Sequence, residues 1–277
     1  MSSNDVAARD SGLTMAQQAD KHELYELSVQ NVENEVVFLQ ETFSAIRGRK
    51  AHILREDFCG TASACCEWVR QGEDFQAIGV DLEPSVLEWG RRNRLSKLDA
   101  TDRARVRLVE GNVLTAETPQ VDILSAFNFS YFIFDKRSLM LEYFRRARES
   151  LVDDGILFLD MYGGPEAQEE TKEKTKYKKH GFSYVWHQQT FHPVTHFCRN
   201  YIHFHFKDGS KMKKAFTYEW RVWSAPEIRD ILEEAGFSKI TVYWEGTDED
   251  GEGDGEFSPE DKGEADLAWI AYIVAEK

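Results

Sequence analysis

The sequence is short of positive charge: 34 Lys and Arg stand against 49 Asp and Glu, a formal net charge of −15. A surface this acidic repels phosphate backbones and anionic headgroups, so neither nucleic acid nor a membrane is the expected partner. Cysteine is scarce and poorly spaced. Cys59, Cys65, Cys66 and Cys198 form no Cys-x-x-Cys pair, and the adjacent Cys65 and Cys66 cannot easily bridge to each other. Nothing reads as a secretory signal, and no apolar run reaches the ~20 residues that cross a bilayer. A reduced, soluble, cytoplasmic chain is the expectation.

Apolar material is plentiful. Of 277 residues 42% are hydrophobic, with seven Trp, ten Tyr and eighteen Phe, enough for a sizeable core. Residues 1–20 are polar and without periodicity, and are expected to form a mobile arm ahead of a single domain over 21–277. From His22 to Ile46 the apolar positions Leu24, Leu27, Val32, Val36, Leu39 and Phe43 recur at helical spacing.

A strand–helix alternation follows. The stretches 51–57, 77–81, 106–110, 121–127 and 155–160 read as five apolar strands with helical segments among them, and Pro84 opens a helix where its missing N–H is harmless. That order predicts a parallel, doubly wound α/β sheet. After Gly163-Gly164-Pro165 the pattern changes to period-two stretches up to Trp223, punctuated by Pro193 and Asp208-Gly209. This predicts an antiparallel insertion over 163–223. A helix from Ala225 to Gly236 and two strands, 240–244 and 268–274, complete the chain, with an acidic, glycine-rich loop from Thr247 to Asp266 between the strands.

Binding an adenosine on such a sheet needs three things at the carboxyl ends of the strands. The first strand must end in a tight turn of small residues, the second in an acid for the ribose hydroxyls, and the third in a polar group for the adenine edge. Cys59-Gly60-Thr61-Ala62, Asp81 and Gly111-Asn112-Val113 supply them in that order.

With these residues the chain resembles the class I S-adenosylmethionine-dependent methyltransferases, over about Ile53 to Asp160 plus the terminal strand pair. That family's first loop reads acidic-x-Gly-x-Gly-x-Gly. Here Glu56-Asp57-Phe58-Cys59-Gly60-Thr61-Ala62 keeps the acid and the middle glycine, with Phe58 and Ala62 at the outer two positions. The resemblance implies a Rossmann-like seven-stranded sheet with an antiparallel β-rich cap after strand five, and S-adenosylmethionine as cofactor. It implies cofactor contacts from Glu56, Asp57, Cys59, Gly60, Thr61, Ala62, Asp81, Leu82, Gly111, Asn112, Val113, Phe127 and Asn128.

In the same family the segment after strand four, here Phe127-Asn128-Phe129-Ser130-Tyr131-Phe132, lines the methyl-transfer site. Methyl transfer depends chiefly on placement and desolvation and needs a base only for a protonated acceptor. Tyr131 and His187 are the candidates for that role. The insertion is expected to roof the acceptor pocket with Tyr184, Trp186 and Tyr201 or Phe204. The acidic loop, which holds one lysine, Lys262, is expected at its rim, favouring an amine or otherwise cationic small-molecule acceptor over an anionic one. Trp244 at the strand end is expected to add cation–π attraction.

Histidines alternate at His203 and His205, but no cysteine or carboxylate sits at ligand spacing, so no metal is expected. Other readings stand beside this one: a protein methyltransferase, a non-catalytic adenosyl-binding protein, and a nicotinamide oxidoreductase, the last disfavoured by the absence of Gly-x-Gly-x-x-Gly.

Overall fold

A computed structural model describes residues 12–248 and 253–277. Three helices lead: α1 (Met15–Gln18), α2 (Lys21–Ser28) and α3 (Val32–Arg47). The alternation runs β1 (Ile53–Asp57), α4 (Ser63–Val69), β2 (Gln76–Asp81), α5 (Pro84–Asn93), α6 (Ala100–Ala104), β3 (Val106–Glu110), β4 (Val121–Ala126), α7 (Arg137–Glu149) and β5 (Leu151–Gly163). Next come β6 (Thr171–Tyr177), β7 (Phe182–His192), β8 (Phe197–Phe206) and β9 (Lys211–Arg221). The chain closes with α8 (Ala225–Ala235), β10 (Lys239–Thr247), β11 (Gly253–Pro259) and β12 (Trp269–Glu276).

Local chemistry accounts for most boundaries. Every residue of β4 is buried, as a central parallel strand requires. Its Asp122 accepts the N–H groups of His52 and Ile53 at 2.8 and 2.9 Å, which sets the start of β1 beside it. Glu83 caps α5, and Pro84 takes its first position. Ser224 and Glu227 form a capping box on α8, and left-handed Gly236 ends it.

The large sheet has the order β11-β10-β12-β5-β4-β1-β2-β3. β1 to β5 are parallel; β12 runs against β5 and β10 against β12, so β10 points with the central strands. Strand order reverses between β1 and β4, which opens a crevice at their carboxyl ends. Two apolar layers sandwich the sheet. One is built on Tyr143, Phe144 and Ile231, the other on Phe43 and Trp68.

The seven expected strands are joined by an eighth, β11, which pairs along β10 in a segment expected to be loop. The single helix expected over His22–Ile46 is two, broken at residues 29–31, with Asn31 in the cap position of α3. The arm expected to be mobile over 1–20 is anchored where it is described. The Met15 N–H donates to Asp208 at 2.8 Å and the Ala16 N–H to Ser210 at 3.1 Å, seating α1 on the β8–β9 turn. Residues 1–11 lie outside the described residues.

β6 to β9 form a separate four-stranded antiparallel sheet, in sequence order, between β5 and α8. Strand alternation gives it two faces. Tyr184, Trp186, Gln188, Tyr218 and Trp220 share the face turned to the large sheet, where they line a cavity with Tyr162 of β5 and with Asn128 and Phe129 from the turn after β4. Val185, His187, Tyr201 and His203 share the other.

Candidate active site

The site begins with a strained turn. After β1, Phe58, Gly60 and Ala62 all have left-handed backbone, with φ of 58°, 52° and 60°. Only glycine adopts this at little cost, so Phe58 and Ala62 are held there by their surroundings. Phe58 packs near Phe134 and Tyr143, and Ala62 is fully buried. The turn is tied down by Cys59 N–H to the Val80 carbonyl at 3.0 Å and by Gly60 N–H to Asp81 Oδ2 at 2.8 Å. A Cβ on Gly90 of α5 would lie 2.4 Å from the Thr61 carbonyl, so this helix rests directly on the turn.

Two carboxylates face the resulting cavity. Asp81, at the end of β2, accepts Gly60 N–H on one oxygen and Glu83 N–H on the other at 2.9 Å. Burial raises its pKa. Glu56 accepts the Cys65 thiol at 3.2 Å, and burial pushes it up to about 8. An acid so poorly solvated ionises readily only when a cation arrives.

The turn after β4 is the second strained element. Asn128 and Phe129 both have left-handed backbone, φ 57° and 56°. The Asp160 carboxylate, on β5, accepts both of their N–H groups, at 2.7 and 2.9 Å. Ser130 Oγ closes the turn on the Phe127 carbonyl at 2.7 Å.

Two cavities meet here. One, of about 290 Å³, is lined by Glu56, Phe58, Cys59, Gly60, Thr61, Asp81, Phe127, Asn128 and Ser130, with His22, Tyr25 and Gln30 from the N-terminal segment. Gln30 Oε1 is buried at this wall without a hydrogen-bond partner in the protein. The other, of about 220 Å³, is an aromatic chamber of Tyr25, Phe129, Tyr162, Tyr184, Trp186, Tyr218 and Trp220. Tyr25, Asn128, Tyr218 and Trp220 line both.

Burial pushes the phenols of Tyr25, Tyr162, Tyr184 and Tyr218 up, so the chamber is uncharged near neutral pH. Gln188 gives Nε2 to the carbonyls of Glu166 and Glu169, both at 2.9 Å, which leaves Oε1 an acceptor. A third cavity adjoins the chamber through Tyr162, Trp186, Gln188 and Ile270, and carries Glu166, Glu173 and Glu245.

Several expected site residues lie elsewhere. Asp57 alternates with Glu56 and points into the core, where Arg55 pairs with it at 2.7 Å and Tyr143 donates to it. Ala62 and Val113 are buried, and Leu82 is 69% exposed beside Asp81; none lines the cavity. Gly111 and Asn112 sit beside Asp81 but outside it: Gly111 N–H bonds the Asp81 carbonyl, and Asn112 Oδ1 closes on Leu114 N–H.

Both candidate bases are displaced. Tyr131 is fully buried against Phe132 and Phe144 and lines neither cavity. His187 is on the outward face of its sheet, bonded to His203. Tyr201 is on that face too, and Phe204 is buried in core beside Leu24 and Phe182.

The described residues of the acidic loop, 247–248 and 253–266, line neither the chamber nor the third cavity, whose carboxylates come from the short helical turn after β5, from β6 and from β10. Trp244 packs tilted against Trp269, ring centres 4.8 Å apart, and does not line the chamber. Residues 249–252 lie outside the described residues. Among the described residues no group of three His, Cys, Asp or Glu can hold a metal ion, and no helix is long and apolar enough to cross a membrane.

The residues that sequence reasoning missed come from remote segments: His22 and Tyr25 from α2, Gln30 from the break between α2 and α3, and Phe216, Tyr218 and Trp220 from β9. The period-two run of aromatics in β9 was the only local signal for the latter.

The sequence matches no protein-family model and no curated protein. Solved structures do match in fold. An S-adenosylmethionine-dependent methyltransferase from Clostridium acetobutylicum superposes with a TM-score of 0.68 at 13% identity, over 92% of this chain and 96% of that one. An amino pentose methyltransferase from Micromonospora echinaspora gives 0.66 at 15% identity, over 92% and 95%. A sugar N-methyltransferase from Streptoalloteichus gives 0.63 at 15% identity, over 100% and 98%. The architecture of this chain is that of the S-adenosylmethionine-dependent methyltransferases.

Proposed function

We propose that this chain, built on a methyltransferase fold, binds S-adenosylmethionine in the cavity at Glu56 and Asp81 and methylates a small amine seated in the aromatic chamber. The observation that carries this reading is the shared wall. A cavity with two carboxylates adjoins an uncharged aromatic chamber across Tyr25, Asn128, Tyr218 and Trp220.

The residues present fit that cofactor. Asp81 keeps lone pairs for ribose hydroxyls beyond its two backbone bonds, and Glu56 suits a cation. The unpartnered Gln30 Oε1 suits an N–H or O–H donor, since a buried acceptor left unpaired costs about 1–3 kcal/mol. Bound there, S-adenosylmethionine supplies a methyl group on sulfonium sulfur, open to in-line displacement.

The protein's own part is placement. Asn128, held by Asp160, and Tyr218 stand between the two spaces. The apolar chamber disfavours a protonated amine, so it favours the neutral, nucleophilic form. Charge that develops on nitrogen meets ring faces, worth roughly 0.5 to 2 kcal/mol. Gln188 Oε1 accepts from the amine N–H, and Glu166, Glu173 and Glu245 draw cations to the adjoining cavity. The second sheet acts as the cap over this chamber.

Thermal melting tests the cofactor. S-adenosylhomocysteine should raise the melting temperature and NAD should not, because only a ligand of the folded state stabilises it. Asp81→Ala should remove most of the shift. Turnover of amine, phenol and carboxylate acceptors tests the second half; a best acceptor that is anionic overturns the amine reading.

A further inference from the structure

Charge is segregated in this molecule. Residues 171–221, the second sheet, hold eleven Lys and Arg against three Asp and Glu, in a chain of 34 against 49. None of the three acids opposes the lysines: Glu219 is paired with Arg199, Asp208 is bonded to Met15 and Ser210, and Glu173 sits on the chamber face. Among the described residues, no lysine of β6 or β9 is in an ion pair.

The register turns this excess into a pattern. Two rows cross the outward face of the four strands. One runs Lys174, Val185, His203, Lys214 and the next runs Lys176, Ser183, His205, Lys211. Lysines therefore stand on both edge strands with an uncharged floor between. His203 Nδ1 accepts the Lys214 N–H at 2.9 Å, so its Nε2 carries the hydrogen and meets His187 Nδ1 at 3.2 Å. Burial, and after it the surrounding lysines and histidines, hold His203 down to about 4. Lys214 itself takes left-handed backbone, φ 52°, to make this contact.

Lysines on edge strands discourage edge-to-edge pairing. That purpose explains charge at the edges but not its single sign, nor a floor kept neutral between the two edge strands. Three strand spacings separate the rails by about 14 Å. A helix with its side chains is about 10–12 Å across. Lys172, Lys174 and Lys176 run for about 14 Å along β6, the rise of about nine helical residues.

We infer that the outward face of β6–β9 docks an acidic α-helix of a partner protein, laid between the two lysine rails. Carboxylates three and four apart on that helix reach both rails. A nucleic-acid duplex or a bilayer fits less well, because either extends past this face onto the remainder of the chain, where acids outnumber bases two to one.

The test titrates the full chain with a labelled helical peptide of about fourteen residues bearing glutamates three and four apart. Double-stranded DNA and phosphatidylserine vesicles are run in parallel. The peptide should bind at low salt and weaken as salt rises. Lys174→Glu with Lys214→Glu should weaken it by about tenfold or more, while Lys50→Glu, far from this sheet, leaves it unchanged; melting curves confirm that each variant folds. The inference is overturned if the peptide does not bind, if the double variant binds it equally well, or if DNA or vesicles bind more tightly through the same lysines.

Discussion

Asp160 holds the backbone of Asn128: its Oδ2 accepts the Asn128 N–H at 2.7 Å, across the gap from β5 to the turn after β4. With Phe129 N–H on the other oxygen, one carboxylate fixes two successive left-handed residues at the junction of the two cavities. Asp160→Asn leaves one of these N–H groups facing an amide NH2. It should cost about 1.5–3 kcal/mol in urea unfolding. Acceptor turnover should fall further than cofactor affinity, because Asn128 stands at the shared wall.

Glu56 ties stability to pH and, on the function proposed here, cofactor affinity as well. Unfolded, it loses its proton near 4.5; folded, burial keeps the proton to about 8. Between these values the folded state binds the extra proton, so this group's contribution to stability declines as pH rises and levels off above 8. Glu56→Gln removes this group's share of the decline, so unfolding curves should show the wild type losing ground to the variant across that window. Affinity for cationic S-adenosylmethionine should climb toward pH 8 in the wild type, with proton release seen by calorimetry, and neither should appear in the variant.

Gly90 permits α5 to touch the turn after β1. A methyl group there meets the Thr61 carbonyl at 2.4 Å, and backbone cannot yield cheaply. Gly90→Ala should cost about 1–3 kcal/mol and lower the affinity for S-adenosylhomocysteine. Ala62→Gly is the counterpart. It relieves left-handed strain in a buried residue and should leave the melting temperature equal or higher.

Glu26 joins three elements. From α2 its carboxylate accepts Thr61 Oγ at 2.6 Å and Ser63 Oγ at 2.7 Å, and pairs with Arg94 beyond the end of α5. Glu26→Ala should free the lead helices from the turn after β1. Limited proteolysis ahead of α3 should quicken, and S-adenosylhomocysteine should bind about tenfold more weakly, as expected for a lost charged hydrogen bond.

The sequence by itself determined the alternation of β1 to β5, the insertion after β5, and the polar groups at Gly60 and Asp81. These follow from local causes: apolar periodicity, helix caps such as Glu83 and Ser224, and the glycine that a left-handed turn prefers. Strand alternation even implied that Glu56 and Asp57 point apart. Only the tertiary structure decided which of them meets the cavity, because that depends on which face of β1 looks to the crevice and which to Arg55 and Tyr143. The same holds for Tyr131 and Phe129, neighbours in one turn, of which the first is core and the second chamber wall. Tyr25 and Tyr218 are 193 positions apart and line the same wall. No local pattern encodes such a meeting; it arises when α2 and β9 are packed over the carboxyl ends of β1 and β4.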